Sequence, residues 1–187
     1  MTVRRGPPVE RVVAALNSLL PEDVAVLDAE PAPEGFHARF SATARTYSYR
    51  IWHRRERSPF ELRRSLWQPA APDVHRLNAS AAMLIGEHDF RAFTPADTKH
   101  EVFVRVVDDA RWHTRGDALE LEITADSFLR HMVRTLVGTM LEREPDDFVD
   151  LLAGAPRSAA GSTAPPWGLY LLHVGYDGLP AAARKSS

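Results

Sequence analysis

The chain has 187 residues, 44% apolar and 26% charged, which suits one soluble globular domain, or two small ones, with a core that needs no disulfide or metal staple. Its 23 basic and 25 acidic residues give a net charge of −2, so total charge announces no nucleic-acid or membrane partner and the distribution has to be read instead. The lack of cysteine excludes disulfides, zinc–thiolate sites, iron–sulfur clusters and thiol nucleophiles. No apolar signal core follows Arg4 and Arg5 and no run approaches the roughly 18 residues that span a bilayer, so the expected location is the cytoplasm, with no membrane partner.

After Pro7 and Pro8, Val9, Val12, Val13, Leu16, Leu19 and Leu20 make a helical face that Pro21 ends. Val24 to Leu27 reads as a short strand and Phe36 to Phe40 as a second extended stretch. Tyr47, Tyr49 and Ile51 alternate with Thr46, Ser48 and Arg50, the pattern of a strand with one buried face. Asp73 opens a helix carrying Val74, Leu77, Ala81, Leu84 and Ile85, which Gly86 is placed to terminate. Val102 to Trp112 and Leu119 to Ala125 are β-rich and flank the turn formers Thr114-Arg115-Gly116-Asp117, which predicts a hairpin. From near Ser127, the residues Phe128, Leu129, Met132, Val133, Leu136, Val137, Met140 and Leu141 form one apolar helical stripe. Pro145, Asp146 and Asp147 open a shorter helix closed by Gly154, and Leu169 to Val174 supplies a last strand. Strands and helices without regular βαβ alternation predict an α+β fold, a mixed and largely antiparallel sheet with helices on one face. The end from Leu179 to Ser187 reads as frayed.

Charge is concentrated locally. Between Phe36 and Leu66 there are eight arginines, at 39, 45, 50, 54, 55, 57, 63 and 64, against Glu56 and Glu61, a local charge of about +6. Tyr47, Tyr49, Trp52 and Phe60 are interleaved. Guanidinium groups among aromatic rings suit RNA phosphates and unstacked bases, and a solvated edge strand with an arginine-rich loop accounts for the same composition. On the long helix Arg130 and Arg134 are four apart with His131 and Thr135 beside them, either a wet basic face or an arginine turned to a cleft where it can pair a carboxylate or hold a phosphate. The eight histidines show no zincin spacing, so no metal is expected. Neither a phosphate loop nor a Gly-x-Ser-x-Gly elbow occurs.

Five collinear segments, running from about residue 16 to 176, carry a family resemblance. They are Leu16-Asn17-Ser18-Leu19-Leu20-Pro21-Glu22-Asp23-Val24, the fourteen residues from Phe36-His37-Ala38-Arg39-Phe40 to Tyr47-Ser48-Tyr49, Gly86-Glu87-His88-Asp89-Phe90, Phe128-Leu129-Arg130-His131-Met132-Val133-Arg134, and Thr163-Ala164-Pro165 with Gly168-Leu169-Tyr170. In order and spacing they resemble the bacterial tRNA pseudouridine synthase A family, cofactor-free enzymes that isomerise uridines in the tRNA anticodon stem-loop. The resemblance implies a sheet of two similar halves meeting at a uridine cleft, of which this chain keeps the second. It gives residues 1–35 as a remnant of the first half, 36–176 as the second half and 177–187 as a flexible tail.

By the same resemblance Tyr47 is the ring that packs on the target base, and Arg134 is the arginine that pairs the catalytic carboxylate. Arg39 and Arg45 are expected to touch substrate, and Arg54, Arg55, Arg57 and His131 the RNA. The partners implied are tRNA and a second copy in a homodimer, with no cofactor. A ring can stack on a flipped uracil, and a fixed guanidinium can keep a carboxylate ionised. One part of the family pattern is missing. The Gly-Arg-Thr-Asp-x-Gly-Val-His segment that carries the essential aspartate upstream of the "LN-LLP" stretch has no counterpart, and Met1 to Ala15 contains no Asp. Asp126 reads as an N-cap for the following helix and Asp89 as a loop or cap residue. Neither is assigned as a substitute, so the expectation divides between a synthase that draws its aspartate from elsewhere and an inactive tRNA-binding module or fragment.

Overall fold

A computed structural model describes residues 6–177. The chain divides between Ala42 and Thr43 into two compact units.

Among its described residues the first unit holds one helix, α1 (Val9–Asn17), with no buried residue. Asn17, at its end, clasps the following loop: its side chain accepts from Val26 N at 2.7 Å and donates to Val26 O at 2.9 Å. Val24 to Leu27 is therefore not a strand. Among the described residues no strand pairs with it, and Leu27 is 91% exposed, so its backbone takes its hydrogen bonds from a side chain instead. Residues 36–40 are not extended either. The His37 imidazole accepts from the N–H groups of Arg39 and Phe40, each at 3.2 Å, while Ser41 N donates to His37 O. A side chain that satisfies its own backbone in this way folds a turn.

The second unit is a six-stranded mixed sheet with helices. Its strands are β1 (Ala42–Trp52), β2 (Leu66–Trp67), β3 (Gly86–Asp89), β4 (Val104–Arg115), β5 (Ala118–Ala125) and β6 (Leu169–Tyr176). The order is β2-β1-β5-β4-β3, with β6 also on β1. β1–β5, β4–β5 and β3–β4 are antiparallel, and β1–β2 is parallel. The expected α+β class is what the chain adopts. The β4–β5 hairpin is tighter than its turn residues suggested, because Arg115 pairs with Ala118 and leaves a loop of Gly116 and Asp117. Gly116 sits at φ +60, the left-handed conformation such a short loop demands. One bulge, between Val107 and Asp109, bends β4.

The alternation along β1 is realised in three dimensions. Tyr49 and Ile51, with Leu119, Leu121, Ile123 and Trp112 from the neighbouring strands, are buried on one face. Against that face pack α2 (Val74–Ala82) and α3 (Met132–Glu142). Asp73 caps α2 by accepting from His75 N and Arg76 N, as its side chain favours. Asn78 on α2 bonds both backbone groups of Trp112, and the Trp112 indole donates to Met140 Sδ on α3 at 3.3 Å. Gly86 does not end α2, which stops four residues earlier; at φ +106 it starts β3. A short helix, α4 (Phe148–Leu152), follows a 3-10 turn at Pro145–Asp147, and Phe148 stacks on Phe93.

On the opposite face of the sheet the residues are charged. Arg50 bonds Glu61 at 2.7 Å and also Glu120, and Arg115 reaches Glu120 and Glu122 at 3.0 and 3.1 Å. The Arg50 guanidinium holds the Glu61 carboxyl below its ordinary range. Of the arginines in the basic segment, Arg50 is thus committed to the fold.

Candidate functional site

The long apolar stripe starts its helix five residues later than its periodicity suggests. Phe128 and Leu129 still pack inward, but the backbone reverses at His131, which lies at φ +62, and α3 begins at Met132. A non-glycine residue in this conformation is costly and marks a backbone held by its surroundings. Arg130 therefore lies before the helix, where it pairs with Asp97 while its carbonyl accepts from Thr94 Oγ1. Thr135 does not share a wet face. It is buried and hydrogen-bonded to Thr163 at 3.0 Å.

Arg134, in the first turn of α3, is half-buried. Its Nε donates to Ala164 O at 2.6 Å, and its own carbonyl accepts from Ala164 N at 3.0 Å. The next carbonyl, Pro165 O, accepts from the Tyr49 hydroxyl at 2.8 Å. Two consecutive carbonyls of one strap are thus held, one by α3 and one by β1. Burial pushes the Tyr49 hydroxyl up to about 12, against the lowering effect of the Arg134 charge, so Tyr49 stays a neutral donor. The remaining nitrogens of Arg134 meet no carboxylate among the described residues. Arg50, Arg54, Arg76, Arg91, Arg115 and Arg130 do, whereas half-buried Arg157, held by Gly161 O and Thr163, has no carboxylate either.

Tyr47 lies two residues before Tyr49 on the same face of β1, opposite Ile123. Its ring meets Phe128 edge-to-face, centroids 5.1 Å apart and planes at 85°, a favourable geometry that fixes the ring plane. Arg45 on the same strand donates to Asp126 O at 2.7 Å. Tyr47, Arg45, His131 and Arg134 are thereby tied to one stretch of chain, residues 126–134.

Asp126 is not the cap of α3, whose N-cap position is His131. Its Oδ1 accepts from Val106 N and Ser127 N and closes the chain leaving β5 onto β4. Asp89 accepts from Arg91 N at 2.8 Å, a turn cap as expected. Both acids are engaged in backbone structure.

Partial desolvation and then the cations Arg134 and Arg130 lower the His131 imidazole below its ordinary range, with Asp97 opposing. The folded value lies under the unfolded one, so His131 contributes stability above the unfolded value of about 6.5 that is lost as pH falls through the depressed folded value. A proton-NMR titration is expected to place the His131 midpoint below that of an ordinary histidine. Arg134→Gln should move it upward.

The other predicted contacts lie elsewhere. Arg54, Arg55 and Arg57 follow Trp52, about 17 Å along β1 from Tyr47 at the rise of a strand. Arg54 pairs with Asp117 in the hairpin loop at 3.1 Å, and Arg57 lies over the Trp67 ring at 4.3 Å. Arg39 belongs to the first unit, with its guanidinium over Phe40 at 5.6 Å. Sequence reasoning missed Tyr49 and the Ala164–Pro165 carbonyls. The segment Thr163-Ala164-Pro165 was a signal, but backbone acceptors leave no trace in residue types. No described cluster of His, Asp and Glu could hold a metal, and no described helix is long and apolar enough to cross a membrane.

Comparison with known proteins bears directly on this arrangement. Residues 80–177 match the family described as tRNA pseudouridine synthase. The chain is similar to the tRNA pseudouridine synthase A of Bacillus pumilus (strain SAFR-032), 40% identical over 175 residues that cover 91% of this chain and 71% of that protein. It resembles the tRNA pseudouridine synthase A of Bacillus subtilis (strain 168) at 39% identity with the same coverage. The protein of that name from Myxococcus xanthus is 43% identical over 182 residues, 93% of this chain and 68% of that protein. The matched regions include α3, the strap and β6, and on this evidence the chain belongs to the tRNA pseudouridine synthase family.

Proposed function

We propose that this chain supplies the uridine-binding face of a synthase acting on the tRNA anticodon stem-loop, with Arg134 as the partner of a nucleophilic aspartate that comes from outside the described residues. The observation that carries the reading is the half-buried Arg134 guanidinium, oriented through Ala164 O and without an acid partner among those residues. A cation fixed in this way favours the ionised form of a carboxylate brought to it. The flipped uracil packs on Tyr47, whose ring Phe128 holds upright. The aspartate forms a covalent intermediate with the nucleoside, the N1–C1′ bond breaks, the base turns and bonds C1′ through C5, the aspartate is released, and the C5 proton is lost to solvent while N1 regains one; the chain's own contribution is binding and orientation. In the same reading Arg39 and Arg45 contact the substrate, and Arg54, Arg55, Arg57 and His131 contact the RNA.

β6 supports the presence of a covering polypeptide. Its consecutive residues Tyr170, Leu171 and Leu172 are 39, 54 and 45% exposed, and because alternate residues point to opposite faces, both sides of this strand are apolar. Among the described residues it pairs with β1 alone. Exposed sheet edges are ordinarily charged or interrupted by proline, so we read this one as the seam to the other half of the sheet. The division into residues 1–35, 36–176 and 177–187, and a homodimer sharing each tRNA, belong to the same reading. An inactive tRNA-binding module would keep Tyr47 and the basic loop, and it has no use for an oriented, unneutralised Arg134.

Binding of unmodified tRNA tests the proposal. The chain should prefer a tRNA carrying uridines in the anticodon stem-loop to one with cytidines there, and its affinity should fall steeply with added salt. Equal affinity for both, or indifference to salt, contradicts it.

A further inference from the structure

At the far end of β1 from Tyr47 lies a cavity of 520 Å³ in which three tryptophans, Trp52, Trp67 and Trp167, share the wall with Arg57, Arg63 and Ser65. Two of the indoles build a platform. Trp52 Nε1 donates to Glu56 O at 3.2 Å and Trp67 Nε1 to Arg54 O at 3.0 Å, so both ring N–H groups are used to hold the loop that carries Arg57. The Arg57 guanidinium lies over the Trp67 ring at 4.3 Å, and the residue is exposed. Trp167 is 46% exposed, a large apolar ring left wet. Ser65 Oγ is buried and makes no hydrogen bond; it lies near enough to Glu61 to favour that group's ionised form without meeting bond geometry. Arg63 lies at φ +58, a costly conformation for an arginine.

A planar heterocycle with an attached anion matches these features. Its ring can stack on the exposed Trp167 or on the outer face of the Arg57 guanidinium, and its phosphate can meet Arg63. Resting on the tRNA reading above, we propose that this cavity is a second nucleotide subsite, which takes one unstacked base of the tRNA and its phosphate about 17 Å from the target uridine. It anchors the RNA by stacking, whereas Arg134 and Tyr47 act on the base that reacts.

Arg57 and Trp167 are exposed, so Arg57→Ala and Trp167→Ala should melt like the parent chain. Each is expected to weaken binding of an unmodified tRNA transcript roughly tenfold, the effect of losing one base–aromatic stack. Arg57→Lys, which keeps the charge and loses the plane, should lose nearly as much. A short single-stranded uridine oligomer should quench tryptophan fluorescence saturably, and a duplex should not. Parental tRNA affinity in Arg57→Ala and Trp167→Ala overturns the subsite while the tRNA reading stands. Full affinity in Arg57→Lys does the same, because charge alone then suffices. A changed oligomeric state with unchanged tRNA affinity makes the cavity a protein contact and also overturns it. Failure of the parent chain to bind tRNA at all overturns the underlying reading.

Discussion

Gly138→Ala is expected to destabilise the chain by about 3 kcal/mol, the upper part of the range for overpacking, and to lower the melting temperature by about 10 °C for a chain of this size. A Cβ at Gly138 would lie 1.9 Å from Ser162 O and 2.9 Å from Ser162 C. Those are backbone atoms, which cannot rotate away as a side chain can. The strap is also pinned on both sides of the contact: Ser162 N donates to Glu142 at 3.0 Å, Thr163 bonds Thr135, and Ala164 is held by Arg134. α3 and the strap must separate, and Arg134 lies one turn before Gly138 on the same helix. A thermal melt of the variant checks this destabilisation. A parental melting temperature would mean that the close approach of α3 and strap is not maintained in solution.

Arg134→Gln should lower pseudouridine formation by on the order of 10²–10³, the loss typical of removing one preorganised group that stabilises charge in a closed site. The glutamine amide nitrogen stands as many bonds from the backbone as the arginine Nε and can still donate to the Ala164 carbonyl, but it lacks the guanidinium's reach and brings no charge to a carboxylate. Arg134→Lys keeps a charge and loses the planar fork, so it should recover only part of the rate. The assay contains the chain, unmodified tRNA and a polypeptide carrying the aspartate segment. Affinity for tRNA should stay within about twofold if Arg134 serves a carboxylate, because such a half-buried guanidinium contributes little to phosphate binding. Full activity of Arg134→Gln removes Arg134 from the mechanism. A large loss of tRNA affinity makes it an RNA contact instead.

What the sequence made legible follows from the kind of interaction each element uses. Alternation at Tyr47, Tyr49 and Ile51 and the run from Met132 to Met140 report burial against a sheet, and burial is what periodicity records. Periodicity places the start of α3 too early because Phe128 and Leu129 are apolar and inward-facing without being helical; apolar spacing cannot register the left-handed turn at His131. The strand expected at Val24 to Leu27 failed for lack of a pairing partner, a tertiary fact invisible in a four-residue run. Tyr47 and Arg134 were named by resemblance, and the structure adds the parts that position them: Phe128 against the ring, and the carbonyls of Ala164 and Pro165 held by Arg134 and Tyr49. The basic segment resolves into unlike roles, since Arg50 is locked to Glu61 and Glu120 while Arg57 lies over Trp67. Composition counts charges and does not say which are already neutralised.

Pseudouridine in an unmodified tRNA transcript, measured by mass spectrometry after incubation with the purified chain and a second polypeptide bearing the Gly-Arg-Thr-Asp segment, tests the account most directly. Conversion is predicted when both polypeptides are present, none with either alone, and none when the added aspartate is changed to asparagine. Conversion by this chain alone would place the nucleophile among its own acids and contradict the assignment of Arg134 to a carboxylate from outside.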